Sequence, residues 1–314
     1  VNAGITIEAA PMQGFLDHVV RFAHRRFFSG IDGWYTPFLL LEKGTLRSRD
    51  RRELQEGIKE QGLLIPQIAP SSPDEALQLL RMIKDAGFSS VNLNLGCPYP
   101  MMTKHGRGAG LLPFPNRIAD ILSALCQGTL TVSVKTRLGL TDANEFQGVV
   151  PVLNAFPLDK VIVHPRIASQ QYGGVPNWEA FDRYAQALHA TVVANGDMDT
   201  LDDVQQVMER YPFVSGVMIG RGLLKDPFLA MRIKSLSIAS DTGKILRDFH
   251  DAVEEGYRQF LTPSHLLDKM TAFWSYFADC FPNSDKVFKK IKKSRQYSAY
   301  SKAVDSAFQT IDTP

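Results

Sequence analysis

Cys97 lies just past a short apolar run, in Asn94-Leu95-Gly96-Cys97-Pro98, and ahead of the glycine-rich Gly106-Arg107-Gly108-Ala109-Gly110. An apolar strand that runs into a loop with a lone thiol, a proline and several glycines presents a reactive group at a sheet's edge. The thiol is therefore the first candidate for chemistry. An isolated cysteine is more often one more buried apolar residue. Its neighbours decide between the two. Lys135 lies in Ser133-Val134-Lys135-Thr136-Arg137, where alternation puts Ser133, Lys135 and Arg137 on one face. A lysine inside a barrel must be paired, form a Schiff base, or donate to an electron-rich group. A flavin fits the last case, because its reduced ring gains negative charge that a fixed ammonium stabilises. His164 reads as a satisfied core histidine, a metal ligand or a donor to a cofactor. No carboxylate cluster accompanies it, which argues against a metal.

These side chains need elements to hold them. Up to about Ser235 short apolar runs alternate with helical patterns: Ile5–Ala9, Gly33–Phe38, Leu64–Ile68, Ser90–Asn94, Thr131–Thr136, Lys160–His164, Thr191–Ala194 and Gly216–Ile219. Amphipathic stretches such as Asp74–Ala86, Asn116–Cys126 and Leu201–Glu209 lie between them. Continuous apolar strands belong to a parallel sheet covered on both faces, and eight βα units predict a (β/α)8 TIM barrel of the α/β class. Barrel chemistry sits at the C-terminal strand ends. Gln67, Asn94 and Cys97, Lys135 and Arg137, His164 and Arg166, Asn195 and Asp197, and Arg221 fall at six consecutive predicted strand ends. Asn195-Gly196-Asp197 and Gly220-Arg221-Gly222 follow the last two strands, where barrels commonly hold a phosphate.

From about Thr242 only helical patterns remain: Ile245–Phe260, His265–Phe281, Lys286–Lys293 and Ser298–Thr310. The expected organisation is a barrel over 1–235, a linker over 236–243 and a small all-α domain over 244–314. The formal net charge of +2 says little about partners. Three cysteines without CxxC spacing read as reduced cytosolic thiols with no structural zinc. Cys126 and Cys280 fall in helical patterns and are expected in the core. No stretch approaches the ~18 apolar residues of a membrane span, and no signal-peptide pattern opens the chain; because residue 1 is Val1, an upstream residue is expected to have been trimmed.

Several motifs together resemble the tRNA-dihydrouridine synthases: Ala10-Pro11-Met12-Gln13-Gly14, Asn94-Leu95-Gly96-Cys97-Pro98, Val134-Lys135-Thr136-Arg137, and His164-Pro165-Arg166 running to Tyr172-Gly173-Gly174 and Trp178. Ala194-Asn195-Gly196-Asp197 and Met218-Ile219-Gly220-Arg221-Gly222 complete the set, in family order. The resemblance implies a cytoplasmic FMN enzyme, expected as a monomer, that reduces the C5=C6 bond of selected uridines in tRNA with NADPH as electron source. It implies that Pro11 and Met12 line the flavin ring, that Gln67 and Lys135 bind its polar edge and that His164 contacts its tail. Asn195, Gly196, Asp197, Gly220 and Arg221 would surround its phosphate, while Asn94, Cys97, Arg137, Arg166 and Tyr172 face the uracil. Gln13 stands where the family often has glutamate. Pro165 replaces the usual glycine and removes an N–H.

Lys286, Lys289, Lys290, Lys292, Lys293, Arg295 and Lys302 form a basic run with no acid among them, interleaved with Tyr297 and Tyr300. Most charge runs are solvated faces, yet this density of one sign suits a phosphate backbone. In the family the helical module grips tRNA. Arg47-Ser48-Arg49-Asp50-Arg51-Arg52, after the second strand, is a further basic candidate on the same face. Two other readings stay open: a flavin barrel acting on a free pyrimidine or small enone, as in dihydroorotate dehydrogenases, and a non-catalytic RNA-binding flavoprotein.

Overall fold

The computed structural model describes residues 4–60 and 62–311. Eight staves form: β1 (Thr6–Ala9), β2 (Gly33–Tyr35), β3 (Leu64–Ile65, resumed as Gln67–Ile68), β4 (Ser90–Leu95), β5 (Thr131–Gly139), β6 (Lys160–Ile167), β7 (Thr191–Asn195) and β8 (Gly216–Ile219). All pair in parallel and in order, and β8 returns to β1 through Thr6↔Gly216. Pro66 divides β3, since it has no N–H for a ladder. The half before it pairs with β2 and the half after it with β4, and this handover closes the cylinder.

Two strands run further than their apolar runs suggest. β5 and β6 stay paired through Arg137↔His164 and Gly139↔Ile167, with a register shift between. Arg137, His164 and Arg166 therefore project from strands rather than from loops beyond them. Pro165 sits within that shift, where a missing N–H breaks no regular ladder. β2 is shorter than its pattern, ending at Tyr35, and the chain beyond touches β3 only through an isolated bridge, Leu39↔Ile68.

Alternation sorts the strand residues. Val91, Leu93, Leu95, Val132 and Val134 join the large core beneath the helices. Ala10, Tyr35, Ile162, Val193 and Met218 form a separate apolar cluster. At the N-terminal end of the strands Glu8 is buried between Lys160 Nζ at 2.6 Å and the Tyr35 hydroxyl at 2.8 Å. That pairing satisfies a carboxylate that burial would otherwise penalise.

Helices follow the strands: α1 (His18–Phe27), α2 (Ser48–Gly57), α3 (Pro73–Asp85), α4 (Pro115–Cys126), α5 (Phe146–Asn154), α6 (Trp178–Ala185), α7 (Leu201–Arg210), and the short α8 (Arg221–Lys225) and α9 (Leu229–Ile233). Their starts carry local signals, as in α3, where Ser72 accepts from the Glu75 N–H and Pro73 takes the first turn. The 47–52 charge cluster opens α2, and its Asp50 is buried, accepting from Arg47 Nε at 2.6 Å and from the Leu40 N–H.

Four helices form the remainder: α10 (Thr242–Arg258), α11 (Pro263–Phe277), α12 (Ser284–Lys293) and α13 (Tyr297–Phe308). They share one apolar core with the barrel helices. Phe249 of α10 meets Phe28 edge-on at 5.1 Å, and the Tyr257 hydroxyl donates to Asp17 at 2.8 Å. Lys269 of α11 reaches the Gly14 carbonyl at 2.8 Å, so α11 is tied to the β1–α1 loop. Among the described residues no helix is long and apolar enough to cross a membrane.

Candidate active site

The mouth of the barrel opens into a cleft of about 1020 Å3, counting its open side. Pro11, Met12, Asn94, Cys97, Lys135, Arg137, His164, Asn195 and Arg221 all line it, so residues from six strands and the loops after them converge on one space. Polar and apolar groups both line it, as an orienting binding site requires.

Asn94 fixes the thiol. Its side-chain oxygen accepts the N–H groups of Gly96 at 3.0 Å and Cys97 at 2.9 Å, while its amide donates to Gln67 at 2.7 Å. Gln67 in turn donates to Asn92, which donates to Ser133. This amide ladder crosses three strands and anchors the turn at Cys97. The glycine-rich stretch folds back under it: Ala109 N–H reaches the Cys97 carbonyl at 3.1 Å, and Gly108 adopts φ +56°. A Cβ on Gly108 would stand 2.9 Å from the Cys97 Cβ. Gly108→Ala is therefore expected to displace the thiol and cost about 1–3 kcal/mol of stability, measured by thermal unfolding. Burial raises the Cys97 thiol pKa, and the Tyr99 N–H, Arg137 and Lys135 pull it only partly back. The group is a proton carrier at neutral pH.

The rest of the cleft is charged. Lys135 Nζ donates to Asn195 at 2.8 Å, and Asn195 donates to the Met218 carbonyl, which sets the lysine's height. Burial, aided by Arg137, lowers the Lys135 pKa to about 7. His164 is held well below its ordinary value by burial and then by Arg137, Lys135, Arg166 and Arg221. It is a neutral imidazole, and because Arg166 donates toward Nε2 at 3.3 Å, Nδ1 carries the proton. Two carboxylates line the cleft: Asp197, bonded to Arg166 at 2.6 Å and Arg221 at 2.7 Å, and Asp199, bonded to Lys225 at 2.7 Å. The guanidinium groups of Arg137 and Arg221, with a lysine that an anion would keep protonated, suit an anionic ligand.

A family model described as dihydrouridine synthase (Dus) matches residues 8–312. The chain belongs to the dihydrouridine synthase family. Among its relatives, a tRNA-dihydrouridine(16) synthase of Cupriavidus necator is 29% identical over 90% of this chain and 91% of its own. One of Ralstonia nicotianae is 31% identical over 72% of this chain and 71% of its own. In fold, the chain resembles the old yellow enzyme of Trypanosoma cruzi, with TM-score 0.53 and 12% identity over 82% of this chain and 94% of that one. Morphinone reductase gives TM-score 0.53 at 10% identity over 78% and 91%.

In this dihydrouridine synthase the motif residues do not all reach the cleft. Gly196, Asp197, Gly220 and Tyr172 line it along with those named above, whereas Gln67 and Arg166 do not. Gln67 is buried beneath, and its amide is engaged by Asn92 and Asn94. Arg166 is also buried, spending its guanidinium on Asp197 and on the Gly173 and Gly174 carbonyls at 3.2 and 2.8 Å. It braces the loop that carries Tyr172. Arg137 donates to the Gly96 and Ile167 carbonyls and faces the Tyr172 ring at 5.4 Å. Sequence motifs missed four cleft residues with aromatic rings, Phe15, Phe38, Tyr99 and Tyr276. The last comes from α11 of the tail and packs edge-on to Phe15 at 5.0 Å. Lys286, Lys289, Lys290, Lys292, Lys293 and Arg295 are all exposed, on α12 and just past it. The one group of metal-ligand types among the described residues, Asp17, His18 and Glu53, lies elsewhere. Its carboxylates already bond Lys269, Tyr257, His18 and Arg21.

Proposed function

We propose that this chain is a tRNA-dihydrouridine synthase that binds FMN in the cleft, takes electrons from NADPH and reduces the C5=C6 bond of selected uridines in tRNA. One observation carries this: in a chain of this family, a protonated thiol, a lysine of lowered pKa and the guanidinium groups of Arg137 and Arg221 meet in a single cleft. The cleft fits a flat anionic cofactor on its own geometry. A Cβ on Gly220 would stand 3.1 Å from Met12 Sδ, and Gly196 adopts φ +147°, so backbone forms a close wall there. Pro11, Met12, Lys135, His164, Asn195, Gly196, Asp197, Gly220 and Arg221 would hold the cofactor.

FMN, when bound, would supply hydride chemistry for reduction of the base. Cys97 delivers the proton to C5, and hydride plus proton complete the two-electron reduction. Arg137 stabilises the charge that gathers on the base carbonyl, and Asn94 keeps the thiol in place. Lys135 regains its proton beside negative charge, so it responds to the electron count of the site. Arg221, bonded to Asp197, would hold the cofactor phosphate. The enzyme works as a metal-free monomer on cytoplasmic tRNA, with the basic α12 face on the RNA backbone.

Purified protein is expected to be yellow, and Lys135→Ala or Arg221→Ala to weaken FMN binding by about 10–100-fold, the worth of one charge-assisted hydrogen bond. Titration calorimetry in two buffers is expected to register proton uptake when reduced FMN binds above pH 7, because the ammonium is restored. A colourless protein that binds no added FMN ends the reading. Turnover of free uridine as efficient as that of unmodified tRNA would replace it with the free-pyrimidine one. Mapping dihydrouridine in tRNA from cells lacking the protein gives the position, beginning with 16, which the names of the two relatives carry.

A further inference from the structure

Three tyrosines from separate parts of the chain meet at the mouth of the cleft. Tyr99 follows β4, Tyr172 follows β6 and Tyr276 sits near the end of α11. Tyr99 and Tyr172 leave 46% and 48% of their surfaces in solvent, directly beside a nearly buried thiol. Their phenols are near enough for each to act on the others electrostatically.

All three are held in place. Tyr99 lies between Pro98 and Pro100, with φ −68° and ψ 136°, so its backbone has little freedom. Tyr172 has guanidinium groups of Arg137 and Arg221 at 5.4 and 5.2 Å from its ring, and Gln171 before it takes φ +50° in a turn that Arg166 bonds. Tyr276 is braced edge-on by Phe15. None of the three has a ring stacked face to face upon it among the described residues: His164 is tilted to Tyr172 and Phe15 is perpendicular to Tyr276. Aromatic rings at an opening, none with another ring stacked on it and one of them, Tyr172, beneath two guanidinium groups, suit a base removed from its own stack.

We infer that Tyr99 and Tyr276, together with Tyr172, form an aromatic collar that accepts one unstacked pyrimidine nucleotide of a folded RNA and replaces the stacking it loses. This rests on the proposed function and adds residues that no sequence motif assigns. It also gives the tail a second task. Through Tyr276, α11 completes the mouth of the catalytic cleft, in addition to any grip that α12 has on the RNA backbone.

The test uses FMN-loaded enzyme and follows two reactions separately under anaerobic conditions: reduction of the flavin by NADPH, and its reoxidation by unmodified tRNA. Tyr99→Leu and Tyr276→Leu are each expected to slow reoxidation at limiting tRNA by about tenfold, the scale of one lost base–aromatic stack. The effect lies in the tRNA concentration needed, and saturating tRNA restores most of the rate. Tyr99→Phe and Tyr276→Phe keep the ring face and stay near native. Flavin reduction by NADPH and FMN affinity remain unchanged in all four. The collar is overturned if the leucine variants are reoxidised like the native enzyme, if the phenylalanine variants fail as badly, or if flavin reduction falls in parallel, which would assign the rings to the nicotinamide or the flavin. Failure of the parent reading looks different: native reduced enzyme would itself be inert toward tRNA.

Discussion

Cys97→Ala is expected to lower tRNA turnover by about 10²–10⁴-fold, the range for removing a positioned general acid, while FMN binding and flavin reduction by NADPH stay near native. The separation follows from the geometry. The thiol hangs on a turn fixed by Asn94 and by the returning Gly108–Ala109 backbone, and none of those bonds uses its sulfur. Removing Sγ therefore takes away the proton and the acceptor of the Tyr99 N–H, and leaves the bonds of the turn standing. The pH dependence has a definite sign. Burial lifts the thiol above its ordinary value, and a general acid must be protonated to act, so single-turnover reoxidation by tRNA stays level past pH ~8.5 and declines only above it. Rapid-mixing traces across pH 6–10 check both statements. Full single-turnover activity in Cys97→Ala, or a native rate already falling at pH 7, would remove Cys97 from the proton-transfer role.

The barrel was legible because parallel strands buried on both faces read as continuous apolar runs, whatever their inner residues do. Where the inner face turns polar near the mouth, that signal fades. Arg137 and Arg166 interrupt the apolar pattern, so β5 and β6 read as ending early although their ladders continue to Gly139 and Ile167. Residue type also reports less than role. Gln67, Asn94 and Arg166 sit at strand ends, where polar groups face ligands, but a polar group there can equally brace a neighbour. Only the hydrogen-bond partners distinguish the two. Gln67 and Arg166 brace, and Asn94 braces while still lining the cleft. Tyr276 was illegible for another reason. It lies in Phe273-Trp274-Ser275-Tyr276-Phe277, an aromatic segment that reads as helix core, and Phe273, Trp274 and Phe277 are indeed buried. Its place at the cleft depends on how α11 crosses the barrel mouth, a contact between residues far apart in sequence.

Replacing Lys289, Lys290, Lys292 and Lys293 by glutamine is expected to reduce both tRNA affinity and its dependence on salt. α12 is divided cleanly: Val287, Phe288 and Ile291 pack against the tail core, and the lysines point to solvent. Asp285 is the acid in its first turn, and the last turn holds Lys290, Lys292 and Lys293. Cations at a helix C-terminus are favoured by the dipole by about 0.3–1 kcal/mol each, so part of this run serves the helix itself. That benefit does not depend on RNA, which is why affinity alone cannot identify the partner. Counterion release can: each phosphate contact contributes about 0.7–0.9 to the slope of log affinity against log salt. Loss of all four contacts would lower the slope by about 3 and the affinity by 10-fold or more at physiological salt. A helix that merely frays would lower the fraction of competent protein and leave the slope of the remainder as before. Filter binding from 50 to 300 mM salt, with circular dichroism on the same samples, separates the two. An unaltered slope with intact helicity would show the run to be a solvated face, and would move the backbone grip to other cations of the chain.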